Sequence, residues 1–202
     1  MKIYLIRHGQ TTSDLEDRYG GWYDDHLSDL GKKQCSILSK KLAGKGIQMI
    51  FHSSLIRATE TASILSKSIN APNSPAVPLI AVPDIREQNR YGILTGMKKS
   101  DAKKNHPADV LELAKGIDGN ATGSEPYSEF RDRIISGMQE ILKDSEKKGL
   151  ETIAIITHGG PIKCIVRELL NVGELGEMAD CGFLELEYKN NKLSVLSTTN
   201  LY

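Results

Sequence analysis

Two histidines and two arginines stand where an apolar run gives way to a loop or a helix, in Arg7-His8-Gly9, Ser53-Ser54-Leu55-Ile56-Arg57-Ala58 and Thr157-His158-Gly159-Gly160. An imidazole can accept or pass on a proton or a phosphoryl group near neutral pH. A guanidinium offers a planar fork of donors that fits the oxygens of a phosphoryl group. Two of each, converging, would match such a group on several sides. Gly9, Gly159 and Gly160 let main chain approach a ligand closely, and a helix opening near Pro161 offers free N–H groups to an anion. Taken singly, each residue has a plainer reading: a histidine at a strand end is usually structural, Arg57 a solvated helix residue, and Ser53 or Ser54 a helix cap. His8 and His158 stand apart because both mark the same rim and both precede glycine. His26, His52 and His106 lack that coincidence and read as structural or surface residues.

The elements that must position these residues follow from hydrophobic periodicity. Ile3 to Ile6 is a continuous apolar run, which suits a central strand covered on both faces. Ser28 caps a helix whose apolar face is Gly31, Cys35, Leu38 and Leu42, ended by Gly44 and Gly46. Ile47 to His52 reads as a second strand. A second helix carries the stripe Leu55, Ala58, Ala62, Leu65 and Ile69 and is closed by Asn70-Ala71-Pro72. Leu79 to Val82 reads as a third strand, and residues 97–123 as short helices and loops capping an active site. A long helix runs from Glu125 to Lys148, burying Phe130, Ile134, Ile135, Met138, Ile141 and Leu142. Thr152 to Thr157 is another buried strand, followed by a helix from Gly160-Pro161 to Leu170. Leu184, Leu186 and Tyr188 alternate with Glu185 and Glu187, and Asn190-Asn191 turns the chain back into Leu193 to Leu196.

Strands alternating with helices, then a closing hairpin, predict one α/β domain over residues 1–202. Its expected form is a three-layer α/β/α sandwich with a mainly parallel mixed sheet. Ligands bind such sheets at the carboxyl ends of their strands. The 202 residues carry 26 Lys plus Arg against 26 Asp plus Glu. That balance provides no broad field for nucleic acid or an anionic membrane, so any anion site is local. No apolar run nears the roughly 20 residues that span a bilayer. Cys35, Cys164 and Cys181 are odd in number and lack metal-ligand spacing, which fits a reducing cytoplasm. No pattern here encodes the oligomeric state.

The segment Leu5-Ile6-Arg7-His8-Gly9-Gln10-Thr11 resembles the signature of the histidine phosphatase superfamily, the phosphoglycerate mutase-like proteins. The same family order continues through Gly21-Trp22-Tyr23-Asp24, Leu27-Ser28, Gly31, Ser53 to Ala58 with Thr61-Ala62, Tyr91-Gly92-Ile93-Leu94-Thr95-Gly96, Gly123-Ser124-Glu125 and Thr157 to Gly160. The resemblance implies a phosphoglycerate mutase-like fold in which His8 is the nucleophile. It makes Arg7, Arg57, His158 and Gly159 phosphate ligands, and Glu87 a general acid and base kept protonated by partial burial. Gln10, Thr11, Asp14, Gly21, Tyr91 and Lys99 become candidate substrate contacts. No metal or other cofactor is implied, except 2,3-bisphosphoglycerate if the chain is a mutase. The expected partner is a small phosphorylated molecule.

The chain departs from the family at three places. Asp14 stands where asparagine is usual and is expected to brace an arginine. Glu87 lies one residue farther from Gly92, so a local bulge must restore its aim, with Asp84 the fallback. Ser13 stands where tryptophan is usual. The implied reaction is hydrolysis of a small phosphomonoester through phosphohistidine, with a phosphoglycerate mutase as the alternative. Mutases of the family carry adjacent arginines in a longer insertion, whereas Asp101 to Gly123 here offers only Lys103, Lys104 and Lys115. A metal hydrolase built on His8, His158 and Asp14 is disfavoured by Arg7 and Arg57, which would repel a divalent ion. A non-catalytic phospho-ligand binding module is the remaining reading.

Overall fold

The computed structural model describes residues 1–70, 74–116, 119–173 and 175–201. Six strands form one sheet in the order β3-β2-β4-β1-β5-β6. They are β1 (Lys2–Arg7), β2 (Met49–His52), β3 (Leu79–Ala81), β4 (Thr152–Thr157), β5 (Met178–Lys189) and β6 (Lys192–Leu201). β1 pairs in parallel with β4, β4 with β2, and β2 with β3. β5 runs antiparallel to β1 and β6 antiparallel to β5, so the mixed sheet is mainly parallel.

The apolar run of β1 is continuous because it serves two cores. Ile3 and Leu5 point to one face with Ile153 and Ile155 of β4, and Tyr4 and Ile6 to the other with Ala154 and Ile156. The helices α2 (Asp29–Leu42) and α3 (Ile56–Ser68) cover the second face. The first face is covered by α6 (Tyr127–Lys147) and α7 (Gly159–Ile165), the latter continued by a π-helical turn over Val166–Leu170. This is the expected three-layer sandwich. Ser28 caps α2, its side chain accepting from the Gly31 N–H at 3.0 Å, and all of Leu55, Ala58, Ala62, Leu65 and Ile69 are buried.

Several boundaries move. Ile47 and Gln48 precede β2, and Val82 follows β3. Ile135 is only half-buried, because the inner face of α6 passes through Gly137, between the expected Ile134 and Met138, instead. β5 begins six residues before the expected alternation, at Met178, and carries a register shift between Met178 and Phe183. Asn190 and Asn191 turn the hairpin with φ of 52° and 59°, the conformation a two-residue type I′ turn requires. Ala71 and Pro72, expected to end α3, lie outside the described residues, as do Ile117 and Asp118 within 97–123. The rest of that segment holds α4 (Lys99–Asn105) and α5 (Pro107–Leu113), whose buried contacts gather around Leu94, Ala102 and Ala121. A short α1 (Thr12–Leu15) follows β1. Among the described residues no helix is long and apolar enough to cross a membrane.

Candidate active site

The carboxyl ends of β1, β2 and β4 lie side by side, and each delivers one part of the predicted constellation. His8 follows β1 with its N–H on the Thr157 carbonyl at 3.1 Å, and Ser53 follows β2 with its N–H on the Ile156 carbonyl at 2.9 Å. His158 follows β4 and opens α7. The three segments are thereby stitched at the point where the sheet ends. Arg57, on the first turn of α3, reaches between the two histidines.

Hydrogen bonding fixes the state of both rings. The His8 Nδ1 donates to the Gly9 carbonyl at 2.7 Å, so the Nε2 lone pair faces the site and accepts from Arg57 Nε at 3.2 Å. The same Nε–H is shared with His158 Nδ1, also at 3.2 Å. With Nδ1 accepting, His158 carries its proton on Nε2 and donates it to Ser53 Oγ at 2.8 Å. The rings meet edge to face with centroids 4.9 Å apart. His8 is 6 % exposed, Arg57 4 % and His158 0 %. Burial first, and the Arg57 guanidinium second, hold both imidazoles well below the ordinary histidine range. Both are therefore neutral at physiological pH, and His8 directs its Nε2 electron pair toward the Arg57 N–H.

Sequence reasoning missed the groups that hold these side chains in place. Asp25 is buried and bonds Arg57 Nη1 at 2.9 Å while accepting from the Ser13 hydroxyl. The carbonyls of Tyr23 and Gly21 take further Arg57 protons, each at 2.8 Å. Arg7 is held by the Met178 carbonyl and by Asp180 at 3.1 Å. Asp14 braces neither arginine. Its carboxylate accepts from the Thr11 N–H and hydroxyl, both at 2.8 Å, and so caps α1. Neither Ser53 nor Ser54 caps α3, whose N-cap is Leu55; the Ser53 hydroxyl instead fixes the His158 tautomer. A doubled aspartate after Tyr23 was the only local signal for Asp25, because Asp24 alone suffices to take the first N–H of α3, that of Ile56, at 2.7 Å.

Glu87 is brought to the site despite its displaced spacing. Its side chain accepts from the Gly160 N–H at 3.2 Å and from the Gln88 N–H at 2.8 Å. The main chain beneath it is clamped by Arg133, which donates to the carbonyls of Asp84, Arg86 and Glu87 at 2.7, 2.7 and 2.8 Å. Glu125 holds Arg133 bidentately at 2.6 and 2.8 Å and also accepts from the Asn89 N–H at 3.1 Å. The extra residue is absorbed in this clamped loop. Asp84 lines a separate cavity with Phe51 and Glu140.

A cleft of about 540 Å³ is lined by Arg7, His8, Thr11, Asp14, Gly21, Arg57, Glu87, Tyr91, Lys99 and Gly159, together with Arg18, Arg90, Lys163 and Glu177. Gln10 is not among them, as its side chain accepts from the Ser28 hydroxyl at 2.8 Å. His158 is sealed beneath the cleft behind Arg57. Lys99 is paired with Asp17 at 2.6 Å, and burial with the nearby Glu87 charge pushes the Tyr91 phenol up. His26 pairs with Glu60, His52 bonds the Ser53 carbonyl, and His106 caps α5, so none of the three joins the site. Among the described residues no cluster of His, Cys, Asp or Glu could hold a metal ion.

Two consequences are measurable. Asp25→Ala strands the Arg57 cation in a site where both partners were buried, and loss of one partner of such a pair costs about 3–5 kcal/mol. The denaturant midpoint is expected to drop accordingly, with Asp25→Asn losing less. The histidines also link stability to pH. Their pKa values are depressed in the folded state, so below about pH 6.5 the unfolded chain takes up protons that the folded chain refuses. Stability is therefore full above that pH and falls as the pH drops, by roughly 1 kcal/mol per pH unit for each histidine until its folded-state pKa is reached. Chemical denaturation between pH 7 and 5.5 should show this slope, and His8→Asn should flatten it.

The profile of the histidine phosphatase superfamily (branch 1) matches residues 3–201. A metal-independent phosphoserine phosphatase of Arabidopsis thaliana is 26% identical over 194 residues, covering 95% of this chain and 78% of that protein. A 2,3-bisphosphoglycerate-dependent phosphoglycerate mutase of Methylobacterium sp. (strain 4-46) is 28% identical over 171 residues, covering 83% of this chain and 79% of that one. In fold, the structure of the mycobacterial glucosyl-3-phosphoglycerate phosphatase superposes with a TM-score of 0.78 at 20% identity, over 97% of both chains.

Proposed function

Because this chain belongs to the histidine phosphatase superfamily, whose members among its relatives are phosphatases and mutases, we propose that it is a metal-independent phosphohydrolase. Its substrate is a small phosphomonoester, cleaved through a phosphohistidine on His8. The observation that carries this reading is the Nε2 lone pair of a neutral, buried His8, aimed into a cleft that also holds Arg7 and Glu87.

The steps follow from the hydrogen bonds. An incoming phosphoryl group competes for the Arg57 Nε–H, which releases the His8 lone pair for attack on phosphorus. Arg57, already fixed by Asp25 and two carbonyls, and Arg7, fixed by Asp180, meet the charge spread over the transferring oxygens without reorganising. The N-terminus of α7 at Gly159 adds main-chain donors. Glu87 takes up the proton that a phosphomonoester monoanion brings in and passes it to the leaving oxygen, and its carboxylate then activates the water that hydrolyses phosphohistidine. The chain's own residues supply each role, and a soluble cytoplasmic setting suits a small phosphorylated metabolite.

The cleft's further cations favour one second reading, a 2,3-bisphosphoglycerate-dependent phosphoglycerate mutase. Arg18 and Arg90 line it, yet Arg18 is tied to Glu16 and the Gly96 carbonyl, and Arg90 to the carbonyls of Leu113 and Gly116. They build the wall. Lys99 and Lys163 are point charges rather than bidentate clamps. Hydrolysis should therefore outpace isomerisation. The test is phosphate release from a panel of phosphomonoesters in excess EDTA, beside 2-phosphoglycerate formation from 3-phosphoglycerate and 2,3-bisphosphoglycerate. Isomerisation faster by a wide margin would install the mutase reading, and loss of activity to the chelator would reject both.

A further inference from the structure

Two cysteines without a part in this chemistry stand directly behind the catalytic loop. Cys35 of α2 and Cys181 of β5 are both buried, and their sulfurs are 3.8 Å apart. Three contacts tie the pair to the site. The Cys181 N–H donates to the His8 carbonyl at 3.1 Å. Asp180, its neighbour, holds Arg7 at 3.1 Å. Gly9 lies so close to Cys35 that a methyl group added there would meet the sulfur at 3.1 Å, and the Gly9 N–H and the Cys35 thiol share the Thr61 hydroxyl. Cys181 itself has φ of 58°, in a region that residues other than glycine seldom occupy, within the register shift of β5. The third thiol, Cys164, lies elsewhere, against the Tyr127 hydroxyl.

We propose that Cys35 and Cys181 are a peroxide-oxidised modification site, forming a reversible disulfide that lowers turnover by shifting His8 and Arg7. Its effect on turnover rests on the phosphohydrolase reading, whereas the bond itself does not. A cavity of about 580 Å³, lined by Arg7, Asp14, Gln34, Lys41 and Cys181 among others, brings a molecule of peroxide size to the Cys181 sulfur, behind which Cys35 lies 3.8 Å away. The thiol of Cys181 hydrogen-bonds the Cys35 sulfur, which holds Cys35 below the usual thiol range and pushes Cys181 up. Cys35 therefore acts as the base, taking the proton of Cys181, the sulfur that lines the cavity.

The Cys35 thiolate takes the Cys181 proton across their hydrogen bond, and the Cys181 sulfur attacks hydrogen peroxide, breaking the O–O bond to give a sulfenic acid and hydroxide, which becomes one water with the proton that Cys35 had released to solvent. The Cys35 sulfur then displaces hydroxide from the Cys181 sulfur, its proton joining that hydroxide as a second water. One peroxide is reduced and two thiols are oxidised, with two waters formed. The sulfurs must close from 3.8 Å to about 2.05 Å. That motion draws on α2 and on the Asp180–Cys181 segment, and so on Arg7 and the His8 main chain. Displacement of catalytic groups by about 1 Å costs on the order of 10²-fold in rate.

Treating the reduced protein with hydrogen peroxide, then measuring intact mass, free thiols and turnover before and after dithiothreitol, tests this. The expected result is loss of two hydrogens in mass and two of the three thiols, turnover lower by at least about tenfold, and recovery with reductant. Cys35→Ser and Cys181→Ala should each turn over normally and resist peroxide, while Cys164→Ser stays sensitive. Oxygen gain without hydrogen loss overturns the proposal, as does a disulfide with unchanged turnover, or equal inactivation of Cys35→Ser. Should the reduced chain hydrolyse nothing, the phosphohydrolase reading fails separately. The coupling is then read from vanadate binding, which the disulfide should weaken and whose constancy would refute it.

Discussion

His8→Ala is expected to lower turnover of any phosphomonoester by at least about 10⁴-fold while the fold survives, since removal of a covalent nucleophile is among the costliest single changes an enzyme suffers. No neighbour can take its place. His158 lies in the same pocket, but its Nδ1 accepts from Arg57 and its Nε2 proton is committed to Ser53, so its electron pair is directed at the guanidinium from beneath the cleft. The ring of His8 bonds only its own residue's neighbour, Gly9, and Arg57. Circular dichroism and thermal melting should therefore show a folded variant. Residual activity within tenfold of wild type would mean that phosphorus is attacked by something other than His8.

Glu87→Gln should lower the rate with alkyl phosphates by about 10² to 10⁴-fold, the range for losing a general acid. A nitrophenyl ester needs little protonation of its leaving group, so there the dephosphorylation step should slow and phosphoenzyme should accumulate. Gly160→Ala provides an independent check that leaves the carboxylate intact. A Cβ at that position would lie 2.1 Å from Glu87 Oε1, and the flexible end of the glutamate would have to turn aside. Its rate should fall in the same direction as that of Glu87→Gln, by about 10-fold or more. Wild-type behaviour of Glu87→Gln on both substrate classes would remove the residue from the mechanism, and Asp84, in its separate cavity, could not inherit the role without a rearranged loop.

The histidines and arginines that the structure brings together were legible because each sits at a strand's carboxyl end beside a glycine or a helix start, where local pattern and sheet topology point to one rim. The groups that hold them were not. Asp25 meets Arg57 across 32 residues, Ser53 meets His158 across 105, and Arg133 meets the Glu87 carbonyl across 46. Such partners lie in loops or on the half-buried side of a helix, where hydrophobic periodicity is silent. The expectation for Asp14 failed for the same reason: a carboxylate three residues after Thr11 finds a helix cap close at hand, and the arginines find Asp25 and Asp180. The expected alternation located the closing hairpin but not the start of β5, because the register shift near Cys181 breaks the period of two.

The proposed hydrolysis depends above all on His8 carrying the phosphoryl group. Rapid-quench reaction with a radiolabelled phosphomonoester, followed by peptide mapping, tests it most directly. The expected result is a burst of label that survives base, is lost in acid and maps to the peptide containing His8, with none in His8→Ala. Steady turnover with no labelled protein, or label on another residue, would contradict it.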